Sequence, residues 1–208
     1  LALISGIVLL ALIAGDITGG SQFVFDIAEI LTLDSGAVSE HSLYGAALIL
    51  LAIGAFTKSA QVPFPFWLPG AMSAPTPASA YLHSATMVKA GIYLLLRLYP
   101  PLHDSLLWTQ VLVYTGVATM VIAAFFALSQ RDLKGLLAYS TISWLGALVA
   151  MIGLPDSLGI KAALVGIIAH AMYKAALFLS AGTIDHNTGT RIIDDLGNLK
   201  QHMPVITG

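Results

Sequence analysis

Charge is what this chain has least of. Only 10% of its 208 residues are Asp, Glu, Lys or Arg, against 57% hydrophobic residues, whereas a soluble domain carries about 25% charge. Core burial does not account for such a depletion; a lipid environment does. Cysteine is absent, which excludes disulfides, thiolate metal sites and cysteine nucleophiles. With a formal net charge of -2 and no basic patch, the chain offers nothing for a nucleic-acid partner to bind. It opens directly on the apolar run "LALISGIVLLALIAG", without a starting Met or a basic leader, and closes on "MPVITG". From this we expect a segment of a longer membrane protein.

What is present is a succession of long apolar runs. A spanning helix needs about 20 mostly apolar residues, and the stretches 1–15, 43–62, 78–96, 105–128, 136–154 and 158–182 come close to that length. The second extends to 72 if its proline-rich end stays in the membrane. Their apolar residues run all round the helix, as in lipid or deep within a bundle. Patches of small residues such as "ASAYLHSATMVKAG" suit close helix contact in a membrane. The expected fold is therefore an all-α membrane protein, a polytopic transmembrane helix bundle with a proline-broken helix. Residues 16–42 hold Asp16, Asp26, Glu29, Asp34 and Glu40 and no Lys or Arg, and read as an external loop. Residues 183–208 read as a polar cytoplasmic loop. Alternating the spans puts Arg131, Lys134, Arg191 and Lys200 on one side and Arg97 and Lys161 on the other, and the positive-inside rule assigns the first set to the cytoplasm.

Against this background the basic residues inside the runs stand out: Lys58, Lys89 and Lys174, joined by His83 and His170. A charge at mid-membrane costs between about 2.5 and 17 kcal/mol, so such residues usually face a polar cavity. Plainer roles compete. Lys89 lies eight residues before Arg97 and reaches the headgroups if its side chain snorkels. Lys58 follows "LYGAALILLAIGAFT", a rise of roughly 22 Å, and is an interfacial anchor if the helix ends there. A lone buried histidine is ordinarily structural. His170 and Lys174, however, are four residues apart on one helix face. Two charged bases there would repel, which favours one being neutral and able to accept a proton.

The stretch "FTKSAQVPFPFWLP" explains the position of Lys58 in one of two ways. Pro63 and Pro65 lack an N–H, so the carbonyls of Ser59 and Gln61 lose their helical partners. Unpaired backbone at membrane depth survives only where protein or water satisfies it, and a broken helix carrying a charged residue is a recurrent construction of transport sites. In the other arrangement the helix ends at 62 and "PFPFWLPG" is an interfacial loop with Trp67 as its headgroup anchor. Lysine suits proton transfer because removal of water from an amine favours its neutral form. Lys58, His83, Lys89, His170 and Lys174, bridged by water and by hydroxyls such as Ser84, Thr86 and Ser143, form a candidate lateral proton relay. No Asp or Glu falls inside any expected span, so neither a metal site nor a sodium site is evident. No cofactor is implied either.

The motifs carrying these residues resemble a known family. "FTKSAQVPFPFWLPGAMSAPTPASAYLHSATMVKAGIYLLLR", "RDLKGLLAYSTIS" and "HAMYKAALFLSAGTIDHNTGTR" are similar to the proton-translocating core of the antiporter-like subunits shared by Mrp-type cation/proton antiporters and respiratory complex I. The variants "PGAM", "MVKAGIY" and "IDHNTGTR" resemble the large A subunit of the Mrp antiporter more than its complex I relatives. The resemblance implies a larger core of inverted helical repeats, each with a discontinuous helix. It places Lys58 on the first of these and His83 on the helix that follows. It makes His170 and Lys174 the family's "HAxxKA" element, and it implies a glutamate partner for Lys58 upstream of residue 1. Gly166 stands where many relatives have a further histidine, a gap that a water would fill.

Carried through, the resemblance implies a transporter subunit rather than an enzyme. It would lie in the bacterial inner membrane beside the other membrane subunits of a hetero-oligomeric antiporter, exchanging protons for a monovalent cation, most simply Na⁺. The alternatives are a proton-pumping subunit of a complex I-type oxidoreductase or membrane hydrogenase, and a membrane scaffold whose lysines only anchor and pair. Lys58→Arg keeps the charge on a group that does not release its proton in practice. In the full-length subunit this variant is expected to assemble but fail to support exchange in inverted vesicles, and wild-type exchange would remove Lys58 from the relay.

Overall fold

The computed structural model describes residues 1–20, 23–84, 86–197, 199 and 203. Residues 198, 200–202 and 204–208 of the expected cytoplasmic loop, Lys200 among them, lie outside the described residues. Among these residues there is no β-strand, only an isolated antiparallel bridge between Asp132 and Ile192. The helices are α1 (Ala2–Ile17), α2 (Ile27–Ile30), α3 (Ser35–Glu40), α4 (Tyr44–Lys58), α5 (Trp67–Gly70), α6 (Thr76–Ser84), α7 (Ala90–Arg97), α8 (Tyr99–Leu102), α9 (Leu106–Leu128), α10 (Leu133–Ile152) and α11 (Ser157–Thr188).

Local chemistry sets the ends of the three long helices. The Ser105 hydroxyl accepts from Trp108 N at 3.0 Å, Asp132 from Lys134 N and Gly135 N at 2.8 and 3.1 Å, and Asp156 from Leu158 N at 3.1 Å. Each satisfies amides that the first helical turn leaves free. Gly189 stops α11 in the left-handed region at φ 72°, its N–H donating to Asp185 O. These three helices are long and apolar enough to cross a membrane, while α1 and α4 are shorter apolar helices. The outer faces of α9 and α11 expose Tyr114, Val121, Phe125, Val165, Ile168 and Met172, the surface expected to meet lipid or neighbouring subunits.

Four of the expected spans differ from the helices. The second ends at Lys58 instead of running to 62, because the chain turns at Ser59 and Ala60 takes a left-handed φ of 51°. The third, 78–96, is not one helix. It divides into α6, a 3₁₀ turn over Met87–Lys89, and α7. The last two begin and end elsewhere: α10 starts at Leu133, three residues early, and α11 runs to Thr188, six residues late. The loop 16–42 contains the two short capped helices α2 and α3.

Small residues let the long helices approach. A methyl group on Gly116 would sit 2.6 Å from Gly146 O, and one on Gly146 would sit 2.7 Å from Met120 N. The backbones of α9 and α10 therefore touch where they cross. The main apolar core joins α1, α4, α7, α9 and α10, with Leu48, Leu51, Ile92, Leu112, Ile142 and Leu145 at its centre. A second, smaller cluster, Met72, Ala80, Leu137, Ala138, Phe178 and Ala181, joins α6, α10 and α11. Gly146→Val pushes branched carbon into the backbone of α9, at a cost of about 1–3 kcal/mol. It is expected to lower the thermal midpoint of the solubilised full-length subunit, whereas Ala162→Val on the exposed face of α11 is expected to leave that midpoint in place.

Candidate functional site

The proline break repairs itself. Ser59 O, freed by Pro63, accepts from the Gln61 side-chain amide at 2.9 Å. Gln61 O, freed by Pro65, accepts from Phe64 N at 2.6 Å. The turn is tied outward as well: Val62 N donates to the Thr119 hydroxyl of α9 at 3.0 Å, and Trp67 Nε1 donates to Thr57 O at 3.0 Å. The Val62–Pro63 peptide is cis. Trp67 thus closes the break and packs against the main core. Lys58 takes no part in the repair. Its side chain is exposed on the wall of an open groove of about 790 Å³ that also meets Gly54, Trp67, Met87 and Gly91. In this chain side-chain amide and backbone donors satisfy the freed carbonyls, and Lys58 lines the groove beside Leu1, Ala2 and Leu3.

The other four expected bases are buried and gathered. His83 and His170 are both 0% exposed, Lys174 is 2% and Lys89 is 7%. His83, Lys89 and Lys174 all lie within electrostatic reach of the His170 ring. Lys89 Nζ donates to Ser84 O and to Ile167 O, the latter at 3.3 Å. Ser84 O is a carbonyl at the C-terminal end of α6, so Lys89 caps the helix that breaks beside it. This explains the interruption of the 78–96 span, and it replaces snorkelling as the role of the Lys89 side chain. Thr86, expected among the bridging hydroxyls, is exposed just before the turn that carries Lys89.

Lys174 Nζ donates to Ser140 Oγ at 2.5 Å. Ser143, expected among the bridging hydroxyls, instead donates to Met120 O at 2.9 Å on the α9 side. Ser84 donates to Ala80 O at 2.6 Å. Both nitrogens of His83 and of His170 lack a hydrogen-bond partner among the described residues. His83 packs on Phe178 with ring centroids 4.6 Å apart. His170 lies parallel to Trp144 at 6.3 Å and edge-on to Tyr173 at 5.3 Å. The place opposite Gly166 is filled by side chains rather than open to a water. A methyl group there would be 2.8 Å from Leu148, and Trp144 Nε1 donates to Gly166 O at 3.3 Å.

Two residues of the site escaped the sequence reading. Lys134, counted as a loop charge, is 4% exposed, and its Nζ lies 3.6 Å from Asp185. Asp185 lay beyond the expected end of the last span but belongs to α11. A signal for Lys134 was present: a cation two residues after an Asp cap opposes the helix dipole and needs a partner. Around this pair, Arg191 binds Asp132 at 2.5 Å and Arg131 binds Asp194 at 2.8 Å. Leu133 N donates to Arg191 O, and Ile193 N to Arg131 O. Arg131, Lys134 and Arg191 thus share one end of the bundle.

A bundle of long apolar helices, with a break at prolines and buried bases but no buried acid among the described residues, defines a polytopic membrane protein. The sequence model of a family described as "NADH:quinone oxidoreductase/Mrp antiporter, TM" matches residues 1–207, and the chain belongs to that family. It is 46% identical over 205 residues, 99% of its length, to the A/B subunit of a probable K⁺/H⁺ antiporter of Rhizobium meliloti. It is 50% identical over 182 residues, 81% of its length, to the A subunit of a Na⁺/H⁺ antiporter of Alkalihalophilus pseudofirmus. The chain covers 20% and 23% of those two proteins. A solved structure of the Mrp complex from a Dietzia species superimposes on 98% of this chain and 22% of its own, at 45% identity and a TM-score of 0.84.

The repair of the first break rests on one side chain. Gln61→Met keeps the volume but leaves Ser59 O without its donor, at a cost of about 1–3 kcal/mol for a buried group. The expected outcome is a lower thermal midpoint of the solubilised full-length subunit than that of Gln61→Glu measured at acidic pH, where a protonated carboxyl can still donate. Equal midpoints would assign the repair elsewhere.

Proposed function

We propose that this chain is the proton-translocating part of a multisubunit cation/proton antiporter. In this reading His83, Lys89, His170 and Lys174 act as a buried relay, and Lys58 serves it from the open groove. The observation that carries the reading is the gathering of four bases in an apolar interior without a buried acid among the described residues, two of them imidazoles whose nitrogens lack protein partners. Unsatisfied buried groups each cost about 1–3 kcal/mol, and such clusters persist at functional sites where partners are exchanged. Lys174 is the natural centre. Its partner Ser140 is a hydroxyl, which donates or accepts as required, so the contact survives both gain and loss of a proton.

The names of the relatives at 46% and 50% identity support antiport over quinone-linked pumping, although the family description spans both. The same relatives support a place among other membrane subunits, in the bacterial inner membrane, with K⁺ or Na⁺ as the exchanged cation. The clustering of Arg131, Lys134 and Arg191 at one end supports a cytoplasmic position for that end. The chain works as part of a transporter and makes no covalent bond.

Lys174→Ala in the full-length subunit is expected to cut cation-driven proton exchange in inverted vesicles roughly ten-fold or more. Ser140→Ala is expected to cut it less, while Ser143→Ala and Lys161→Ala, which touch neither base nor relay, keep it. Full exchange by an assembled Lys174→Ala variant would defeat the reading, and quinone-dependent proton movement in the purified complex would favour the oxidoreductase alternative.

A further inference from the structure

A buried imidazole is ordinarily fixed by a hydrogen bond at one ring nitrogen. His170 is 0% exposed, yet neither of its nitrogens has a partner among the described residues. Rings hold it instead. The Trp144 indole of α10 lies parallel to the imidazole, with 7° between the planes and 6.3 Å between the centroids. The Tyr173 ring, three residues further along α11, stands edge-on to both, 5.3 Å from His170 and 6.3 Å from Trp144. Trp144 is half-buried and Tyr173 is exposed, so these two rings wall the imidazole off from the outer face of the bundle.

Trp144 also holds the backbone that carries His170. Its Nε1 donates to Gly166 O at 3.3 Å, and Gly166 lies one turn before His170 in α11. The next carbonyl, Ile167 O, accepts from Lys89 Nζ at 3.3 Å. A carbonyl oxygen has two lone pairs, so both can accept from outside while the helix stays intact. The turn from 166 to 170 is therefore pinned on two sides, from α10 and from the turn after α6. Glycine permits the close cover. A methyl group at 166 would lie 3.6 Å from the Trp144 ring and 2.8 Å from Leu148.

We propose that Trp144 is a positioning residue of proton transfer, holding the His170 imidazole in the orientation at which a proton passes to and from its neighbours. The proposal rests on the relay reading above. The charged and titratable groups within electrostatic reach of the ring are His83 of α6, Lys89 of the turn and Lys174 of α11. None is an acid, so no counter-charge fixes the ring in either protonation state. A hydrogen bond would occupy one of the two nitrogens that must exchange the proton. Stacking acts on the ring face and leaves both nitrogens free. Alignment matters because a misplacement of about 1 Å costs up to about 100-fold in rate. The bonds that change are N–H bonds alone. A proton arrives on an imidazole nitrogen from a protonated neighbour and leaves to a neutral one, and the ring returns to its neutral form. The indole N–H stays on Gly166 O throughout.

The test measures cation-driven proton exchange by the full-length subunit in inverted vesicles, in H₂O and in D₂O. Trp144→Leu removes both the ring and the N–H, whereas Trp144→Phe keeps a ring on the imidazole face. In the assembled Trp144→Leu variant exchange is expected to fall about ten-fold. The ratio of its rates in H₂O and D₂O is expected to rise about two-fold over wild type, because transfer at a misaligned ring becomes the slow step. Trp144→Phe is expected to keep exchange within about two-fold of wild type, with the wild-type ratio. A loss of packing alone lowers the amount of assembled subunit and leaves that ratio where it was.

Wild-type exchange in an assembled Trp144→Leu variant overturns the positioning role. So does a fall in exchange with an unmoved isotope ratio, or one that Trp144→Phe does not rescue. If Trp144→Leu does not assemble, Trp144→Met, which fills the space with a flexible unbranched chain, is judged by the same two quantities. Lys174→Ala separates the two levels. Loss of exchange there, with wild-type behaviour of Trp144→Leu, sinks the role of Trp144 alone, whereas full exchange in an assembled Lys174→Ala variant sinks the relay itself.

Discussion

A hydrogen-bonding group removed from water must find its partner inside the protein, and the arrangement of this chain follows from where it finds them. Apolar helices satisfy their own backbones, so the informative places are those where the helix stops. Two such stops flank the bases. At the first, prolines take two donors away, and a glutamine amide and a turn amide replace them. At the second, a lysine ammonium reaches back to the end of α6. Both breaks are held by donors from within a few residues together with contacts to α9 and α11, which allows them to sit among packed helices without opening the bundle.

That solution also explains which parts were legible in sequence. The apolar runs place the long helices, while the Asp132 cap, not read from the sequence, starts α10 three residues before its expected span. The prolines mark the first break. The second break is silent: "YLHSATMVKAGIYLL" carries no proline, and its interruption depends on Lys89 meeting carbonyls of α6 and of α11, a contact that exists only after folding. Burial was the least legible property. Lys58 and Lys134 each sit at the edge of an apolar run, yet the first faces an open groove and the second is enclosed by Asp185 from a helix fifty residues later. A side-chain partner from a distant helix decided the second, and spacing along the chain carries no trace of it. Ser140 against Ser143 is the same lesson at finer scale. Three residues on one helix separate a hydroxyl that meets Lys174 from one that meets the backbone of α9.

Charge distribution along the bundle follows from the same accounting. Acids and arginines pair with one another at the end beyond Lys134, where water is near and each pair is worth little. Toward the middle the acids stop, while bases continue. A paired ion in the interior would be held by its counter-charge, and separating the two would be costly. A base that meets only rings and hydroxyls is not tied in that way.

The four buried bases therefore differ in kind. Lys89 donates to two backbone carbonyls, groups that only accept, and it does structural service at a helix end. It is the member whose partners suit one arrangement. Lys174 donates to a hydroxyl, which can turn its own proton the other way. His83 and His170 are held by ring packing alone, so their orientation does not depend on which nitrogen carries a proton. A path made of groups that keep their place while their protons change can reset without unfolding anything; of the four bases of the proposed relay, Lys174 and the two histidines meet this condition directly, and Lys89 joins them from a helix end. Lys89 sets the shape of the site around them, because the turn that it caps ends α6 just past His83, beside the aromatic ring of Phe178.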